Sequence, residues 1–270
     1  MGWLTDTHCH LNLNTFEEIL EPVLERARQR GIRRILVPGI DLETSRAAID
    51  LAARYSDLYA AVGVHPGDAA TWNEGTLLAL EELARHPKVV AIGEIGLDYY
   101  RDRAPRPQQR QIFRTQLGLA AELELPVVIH NRESLEDLWQ ELSDWQAGLE
   151  ISASPLARRP GVLHSYDGTL ETALQAIGKG FFIGISGPVT FKNAVERQAV
   201  VAALPLNHLF LETDAPYLTP HPYRGQWPNE PAHVAYVAKK IAELHNLPTE
   251  TVIKTTWENA AKLFKWGANS

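Results

Sequence analysis

The 270-residue chain carries 26 Lys and Arg residues against 33 Asp and Glu residues, which gives a formal net charge of −7. This balance argues against a protein that coats nucleic acid non-specifically, because such binding needs a broad basic surface. The 45% hydrophobic content, without an apolar run long enough to span a membrane, is typical of a globular protein with a substantial core. The single cysteine, Cys9, excludes an intrachain disulfide and predicts a reducing compartment. Because no basic-then-apolar leader is visible, we expect a cytoplasmic protein without a membrane partner.

Short apolar segments alternate with amphipathic ones along the chain. A first strand is expected from the apolar opening at residues 2–4, and seven more at 32–37, 58–64, 89–93, 126–129, 161–163, 181–185 and 208–211. Helices are expected from Thr15 to Gly31, at 41–55, 74–86, 107–124, 134–147, 169–177 and 193–204, and twice after Pro231. Thr15 and Glu18 have the spacing of a capping box, and residues 148–160 are predicted to be irregular.

The predicted strands show little polar alternation, which indicates burial on both faces and hence a parallel sheet covered by helices. Eight strands that alternate with helices at intervals of roughly thirty residues favour a (β/α)₈ TIM barrel, with residues 1–270 forming a single domain. An open doubly wound sheet is the alternative. The first βα turn lacks the glycine-rich phosphate fingerprint of that class, so we favour the barrel.

Residues that bind metals follow five of the predicted strands. His8 and His10 end the first strand, where alternate side chains point to the same side, so that both imidazoles can reach one divalent ion. The other strand-end candidates are Glu94, His130, His164 and Asp214. Each has an ordinary structural explanation when it is taken alone, as a hydrogen-bonded loop histidine, a turn acid or a helix cap. In a barrel, however, all these strand ends form one rim, and convergence of six such residues there favours a metal centre.

Four histidines and two carboxylates exceed what a single four-coordinate ion needs. They predict two divalent ions, Mg, Mn or Zn, about 3.5–4 Å apart. Glu94 is predicted to bridge the ions. Asp214 would lie beside the two N-terminal histidines, since the first and eighth strands of a closed barrel adjoin. We predict Asp214 and Glu94 as the catalytic residues, with Asp214 orienting the attacking water or taking its proton.

Other residues near the predicted strand ends are candidates for substrate binding. His65 is predicted to contact a phosphate or a leaving group, with a simple turn histidine as the alternative. Arg132 is predicted to bind a phosphate, with an ion pair to Glu133 or Glu136 as the alternative. A basic run comprises Arg101, Arg103, Arg106 and Arg110. Aromatic residues that could stack bases, although packing is the more common role, are Tyr99, Tyr100, Tyr217, Tyr223 and Trp227.

Seven segments resemble, in order, the motifs of the TatD family of metal-dependent deoxyribonucleases. They are DTHCH at 6–10, VGVHP at 62–66, GEIGLDY at 93–99, IHNR at 129–132, LETDAPY at 211–217, NEP at 229–231 and TWENAAKLF at 256–264. The resemblance implies a TIM barrel of the amidohydrolase kind and the same six metal ligands. It also implies a DNase that degrades DNA as a 3′-to-5′ exonuclease, with RNA as a substrate of some members. Asn12 and Tyr166 depart from the commoner family residues at their positions.

Two further hypotheses remain open at the level of sequence. One keeps the metal centre but assigns hydrolysis of an ester, amide or aminoacyl bond, as in amidohydrolases at large. The presence of Glu94, where such enzymes often use a carboxylated lysine, favours the phosphoester bond. The other hypothesis is a nucleic-acid-binding protein that keeps metals for stability alone. The sequence indicates no obligate protein partner.

Overall fold

The computed structural model describes residues 2–101 and 103–266, in which strands and helices alternate as the sequence predicts. The strands are β1 (Leu4–Asp6), β2 (Ile32–Pro38), β3 (Leu58–Val62), β4 (Val89–Asp98), β5 (Val127–Arg132), β6 (Gly161–Leu163), β7 (Phe182–Ile185) and β8 (Leu209–Leu211). The α-helices are α1 (Leu20–Gln29), α2 (Leu42–Arg54), α3 (Thr76–Ala84), α4 (Arg106–Glu122), α5 (Leu135–Ile151), α6 (Leu170–Gly178), α7 (Val195–Ala203), α8 (Val234–His245) and α9 (Thr249–Phe264).

The strands are hydrogen-bonded in the order in which they occur in the chain, from β1 to β8. The first and last of them also meet, because the Thr7 amide donates to the Leu211 carbonyl at 2.9 Å. All ten residues of β4 are buried, as expected for a parallel strand that is covered on both faces. This order excludes the shuffled order of a doubly wound sheet and confirms the predicted (β/α)₈ barrel class.

The chain divides into two compact units. One contains β1, α1 and β2 up to Val37, together with α6 and the elements from β7 onward. The other contains the elements from α2 to β6. In the first unit, α8 packs against α9 and buries residues spaced three and four apart, which is the pattern of an amphipathic helix: Val234, Val237, Ala238, Ile241 and Ala242. The single domain predicted over residues 1–270 stays a prediction.

The predicted start of the first helix at Thr15 is wrong. Thr15 lies in a single 3₁₀ turn, and α1 begins at Leu20. Pro22 explains the difference, because proline is tolerated in the first helical turn but lacks the N–H that a helix interior needs. The capping box occurs instead at the start of α2, where the Thr44 amide donates to Asp41 Oδ1 at 2.8 Å and the Asp41 amide donates to Thr44 Oγ1 at 3.0 Å.

Several other predicted boundaries differ from those observed, most of them by three residues or fewer. The sequence predicts that residues 148–160 are irregular, whereas α5 continues to Ile151. The fourth strand is predicted to end at Gly93, whereas β4 continues to Asp98. Glu94 therefore lies within a strand. The glycines at 93 and 96 lower the strand propensity of this segment, so its extended conformation is not evident from the residues alone.

The extension of β4 depends on Gly96. This residue pairs with His130 on β5 and has a φ of +145°, a conformation that residues with a side chain rarely adopt. A Cβ atom at this position would lie 2.0 Å from the His130 carbonyl oxygen. Only glycine therefore allows the two strands to approach here, and the approach brings Glu94 and Asp98 of β4 beside His130.

Replacement of Gly96 by alanine tests this contact. We expect the variant to lose about 2–4 kcal/mol of its free energy of unfolding, through steric overlap and the unfavourable φ. Chemical denaturation followed by circular dichroism measures the loss. Gly118→Ala is the matched control, since a Cβ on Gly118 in α4 meets nothing within 4 Å outside its own helix backbone. The control should be equally stable or gain about 0.5–1 kcal/mol. A Gly96→Ala protein as stable as the wild type would contradict the contact.

Candidate metal centre

The ends of β1 and β8 bring two histidines and one carboxylate together. The Nε2 atoms of His8 and His10 are 3.1 Å apart. Asp214 Oδ1 lies 3.9 Å from the first nitrogen and 3.6 Å from the second. Both histidines are buried. Two nitrogen ligands, each about 2.0–2.1 Å from an ion, are themselves about 3 Å apart, so this donor set fits a divalent metal.

Backbone hydrogen bonds fix this group. After the Thr7–Leu211 contact, the Asp214 amide donates to the His8 carbonyl at 2.9 Å, and the His10 amide donates to the Ala215 carbonyl at 2.8 Å. Cys9, the residue between the two histidines, is fully buried, and burial raises the pKa of its thiol. Cys9 is therefore a packing residue, although its two neighbours belong to the candidate metal-binding group.

Asp6 also holds this group in place, through contacts that the sequence analysis missed. Its buried carboxylate accepts the Thr213 amide at 2.9 Å and also accepts the Thr213 hydroxyl. It also accepts the His8 amide at 3.3 Å. Burial raises the pKa of Asp6 to about 8, and the charge of Glu212 adds to the rise, whereas the hydrogen bonds from Thr213 and His8 oppose it. The carboxylate holds residues on either side of the β1–β8 junction in register.

A second group lies on β4 and β5. His130 Nδ1 is 2.9 Å from Glu94 Oε1, and His130 Nε2 is 3.3 Å from Asp98 Oδ2, so both ring nitrogens face a carboxylate. His65 Nε2 lies 3.8 Å from the same Glu94 oxygen. His65, Asp98 and His130 each offer a ligand atom within 4.8 Å of the others, a separation that suits a metal site.

In this second group, burial and hydrogen bonding shift the pKa values of the ionisable side chains in opposite directions. Burial disfavours the charged form of His130, but its hydrogen bonds to Asp98 and Glu94 outweigh that effect and raise its pKa to about 9. Burial likewise works against ionisation of Asp98, yet the hydrogen bonds from His130 and from the Arg101 amide lower its pKa to about 2. Both shifts favour the charged forms, a protonated His130 and an ionised Asp98. The carboxylates of this group therefore provide an environment that attracts a cation.

Asp98 combines the hydrogen bonds of a turn residue with a contact to the second group. Its Oδ1 atom accepts the amides of Tyr100 and Arg101, as a turn residue does, while Oδ2 faces His130. The missed signal was the alternation of Glu94, Gly96 and Asp98, whose side chains share one side of an extended strand. It was invisible while the strand was predicted to end at Gly93.

The remaining predicted ligand, His164, directly follows β6 and is buried. Its amide donates to the Ile129 carbonyl at 2.9 Å, which ties the end of β6 to β5. Tyr166, one of the departures from the family pattern, donates its hydroxyl to the Thr169 carbonyl at 2.7 Å and so holds the following turn.

The predicted substrate-binding residues have mixed surroundings. His65 accepts the Gly67 amide through Nδ1 at 2.9 Å, as a turn histidine does, while its other nitrogen faces Glu94. Arg132 stacks over the ring of Tyr100 at 4.0 Å rather than pairing with Glu133 or Glu136 in the described part of the chain. Tyr100 is itself exposed.

Much of the predicted basic run is used in packing. Arg110 pairs with Asp137 and Glu141, and Arg106 stacks over Tyr99 at 4.4 Å. The predicted aromatic residues also divide into two sets. Tyr99 donates to Asp137, and Tyr223 stacks on His233 with ring centroids 4.7 Å apart, so both are packing residues. Tyr100, Tyr217 and Trp227 keep large exposed surfaces.

The strand order, together with histidines and carboxylates collected in the carboxyl-terminal halves of strands or directly after them, defines a (β/α)₈ barrel with candidate metal-binding groups. No helix in the described ranges is long and apolar enough to cross a membrane. Comparison with known proteins narrows the class. The profile of the family described as TatD-related DNase matches residues 5–265.

Named relatives and a solved structure agree with that match. The metal-dependent hydrolase YabD of Bacillus subtilis, described as uncharacterized, is 43% identical over 262 residues, which cover 97% of this chain and 99% of the relative. The 3′-5′ ssDNA/RNA exonuclease TatD of Cronobacter sakazakii is 35% identical over 264 residues, 96% of this chain and 97% of the relative. The crystal structure of YjjV, a TatD homologue of Escherichia coli, superposes with a TM-score of 0.89 at 34% identity, covering 97% and 98% of the two chains.

The chain therefore belongs to the TatD-related DNase family, as its motifs predict. It is a metal-dependent hydrolase of that family. The histidine and carboxylate groups described above are its candidate metal-binding residues.

Replacement of Thr213 by valine tests the anchor beneath the first group. The variant loses the hydroxyl that donates to Asp6 and accepts the Ala215 amide at 3.2 Å, so buried polar groups lose a partner. We expect a fall of about 1–3 kcal/mol in the free energy of unfolding, measured by urea denaturation. Thr213→Ser keeps the hydroxyl and should stay within about 1 kcal/mol of the wild type. Equal stability of the two variants would show that the Asp6–Thr213 contact contributes nothing.

Proposed function

We propose that two divalent ions, Mg, Mn or Zn, are held by one centre with six ligands: His8, His10, Glu94, His130, His164 and Asp214. The donor chemistry of the two described groups supports this. Strand position supports it too, because these residues lie in the carboxyl-terminal half of a strand or directly after one, on the side where barrel enzymes keep their active sites. Paired ions of this kind lower the pKa of a bound water and stabilise the attacking and leaving oxygens of a displacement.

The side chains of the centre have distinct roles in this proposal. Asp214, whose exposure exceeds that of the two histidines beside it, orients the attacking water and accepts its proton. Glu94, whose Oε1 faces His130 at 2.9 Å, would be the carboxylate ligand common to both ions. Asp98 positions His130 through the ring nitrogen that does not face Glu94. His65 and Arg132 bind the phosphate of the substrate.

The reaction we assign is hydrolysis of phosphodiester bonds in DNA, from the 3′ end, with RNA as a further substrate. The observation that carries this assignment is the cluster of imidazoles and carboxylates on strands of a TatD-family barrel, a donor set that suits two-metal phosphoester chemistry. The name of the exonuclease from Cronobacter sakazakii supports the strand polarity and the substrate class. Arg132, stacked on exposed Tyr100, supports an anionic polymer as substrate. A cytoplasmic location stays a prediction from the cysteine content.

Asp214→Asn tests this proposal directly. The amide keeps the shape of the side chain but cannot accept the proton, so we expect the cleavage rate of end-labelled single-stranded DNA to fall by about 10²–10⁴-fold. Chelation with EDTA should abolish wild-type cleavage, and added Mn²⁺ should restore it. Asp144→Asn is the matched control, because Asp144 is an exposed residue of α5 that contacts Gln140, and it should keep wild-type activity.

The same assay separates the proposal from its alternatives. Shortening of 3′-labelled and 5′-labelled strands shows the direction of attack. If the protein leaves DNA and RNA intact with Mg²⁺, Mn²⁺ and Zn²⁺ but hydrolyses ester or amide substrates, the phosphodiesterase assignment is wrong. If it binds metals and nucleic acid but hydrolyses no substrate in either set, catalysis itself is refuted.

A further inference from the structure

Two large aromatic side chains lie exposed in the loop that follows Asp214. Tyr217 is 45% exposed and Trp227 is 61% exposed. Their ring centroids are 5.7 Å apart, and the rings are inclined at 55°. Tyr217 also presents its ring edge-on to His10, with centroids 6.3 Å apart. The pair therefore extends from the candidate metal ligands outward into solvent.

The loop that carries these rings is firmly held. The Tyr217 amide donates to the Asp214 carbonyl at 2.8 Å. Asn229, fully buried, donates through Nδ2 to the Tyr217 carbonyl at 2.6 Å and to the Thr213 carbonyl at 3.0 Å. Arg26 donates to Glu230 Oε2 through Nε at 2.8 Å and through Nη2 at 2.6 Å. The backbone on both sides of the pair is thus held before any ligand arrives, which lowers the entropic cost of binding.

Exposure of such rings on an ordered loop is unfavourable in water. Another aromatic residue of the same segment, Tyr223, is packed against its neighbours instead, because it stacks on His233 and contacts Tyr236. The neighbouring Leu218 is 37% exposed as well, so the apolar patch continues around the Tyr217–Trp227 pair. An exposed apolar patch beside a reactive centre is typical of a surface that a ligand covers.

We infer that the Tyr217–Trp227 pair is a stacking site for an unpaired nucleobase of the polynucleotide substrate, next to the phosphate that is cleaved. This inference rests on the proposed function. Because the two rings are inclined, a base can stack on one of them while its edge meets the other. Every base has a π-face, so the site accepts any base. In a duplex, both faces of an interior base are already stacked, so the pair selects single-stranded ends.

The chemistry around the pair favours a base over other apolar ligands. Tyr217 lies beside His10, which belongs with Asp214 to the proposed centre that would hold the scissile phosphate. A ligand that covers the pair while its phosphate is bound there carries an apolar, planar group within one nucleotide of that phosphate. The pair itself carries no cation, so affinity at this site depends on stacking rather than on charge, and it should be less sensitive to salt than the phosphate contacts.

The test uses two single-stranded oligonucleotides, one intact and one that lacks the bases of its last two 3′ nucleotides. The measured quantity is the ratio of kcat/KM on the intact strand to that on the abasic strand. We expect Trp227→Ala to lower this ratio by about 5- to 150-fold, the effect of one stacked base. Trp227→Phe keeps an aromatic ring and should restore most of the ratio.

Trp3→Ala is the matched control. Trp3 is 45% exposed and stacks with Arg33 at 4.4 Å, so it is a surface tryptophan that the proposal leaves unused. The ratio of kcat/KM on the two strands should be the same for Trp3→Ala as for the wild type. An unchanged ratio in Trp227→Ala overturns the stacking site while leaving the proposed nuclease intact.

Fluorescence anisotropy in EDTA measures the binding of the same two oligonucleotides. This measurement separates a failure of the stacking site from a failure of the proposed nuclease. If the wild type cleaves neither strand but binds the intact one more tightly in a Trp227-dependent manner, the nuclease proposal fails and the stacking site stands. If wild type and Trp227→Ala bind the two strands with equal ratios, the stacking site is refuted, whatever the activity.

Discussion

The structure depends most on the junction between the first and last strands. Three main-chain hydrogen bonds join residues at the ends of β1 and β8 that are about two hundred positions apart, and the Asp6 carboxylate reinforces them from below. These contacts determine where His8, His10 and Asp214 lie. The Thr213 hydroxyl and amide both donate hydrogen bonds to Asp6, and the next residue, Asp214, faces the histidines. The same few hydrogen bonds therefore join the first strand to the last and set the positions of the candidate ligands His8, His10 and Asp214.

The second constraint is electrostatic. Glu94 and Asp98 hold carboxylates on both sides of His130, and the pKa of His130 rises to about 9 as a result. A binding pocket that favours a proton on a buried imidazole also favours a divalent cation, because both supply positive charge to the same carboxylates. Membership in a family of metal-dependent hydrolases agrees with this reading of the charges. Gly96 makes the arrangement possible, since it alone lets β4 approach β5 at His130.

Much of this could be predicted from sequence, because the relevant signals are local. Buried parallel strands produce apolar runs, and chemistry-bearing residues at strand ends stand out against them. One feature that the sequence did not reveal is non-local. The Asp6–Thr213 contact joins residues 207 positions apart, so neither motif reveals it alone. Another is local: the role of Asp98 was hidden because the fourth strand was predicted to end at Gly93. Which aromatic residues stay exposed, Trp227 but not Tyr223, depends on packing that no spacing rule encodes.

The central claim is that distant histidines and carboxylates share a pair of metal ions. The most direct measurement is anomalous X-ray scattering from crystals soaked in Mn²⁺. The account predicts two anomalous peaks about 3.5–4 Å apart, with His8, His10 and Asp214 among the ligands of one ion, His130 and His164 holding the other, and Glu94 shared between them. An absence of peaks at these residues, or ions bound only at well-separated places on the protein, would contradict it.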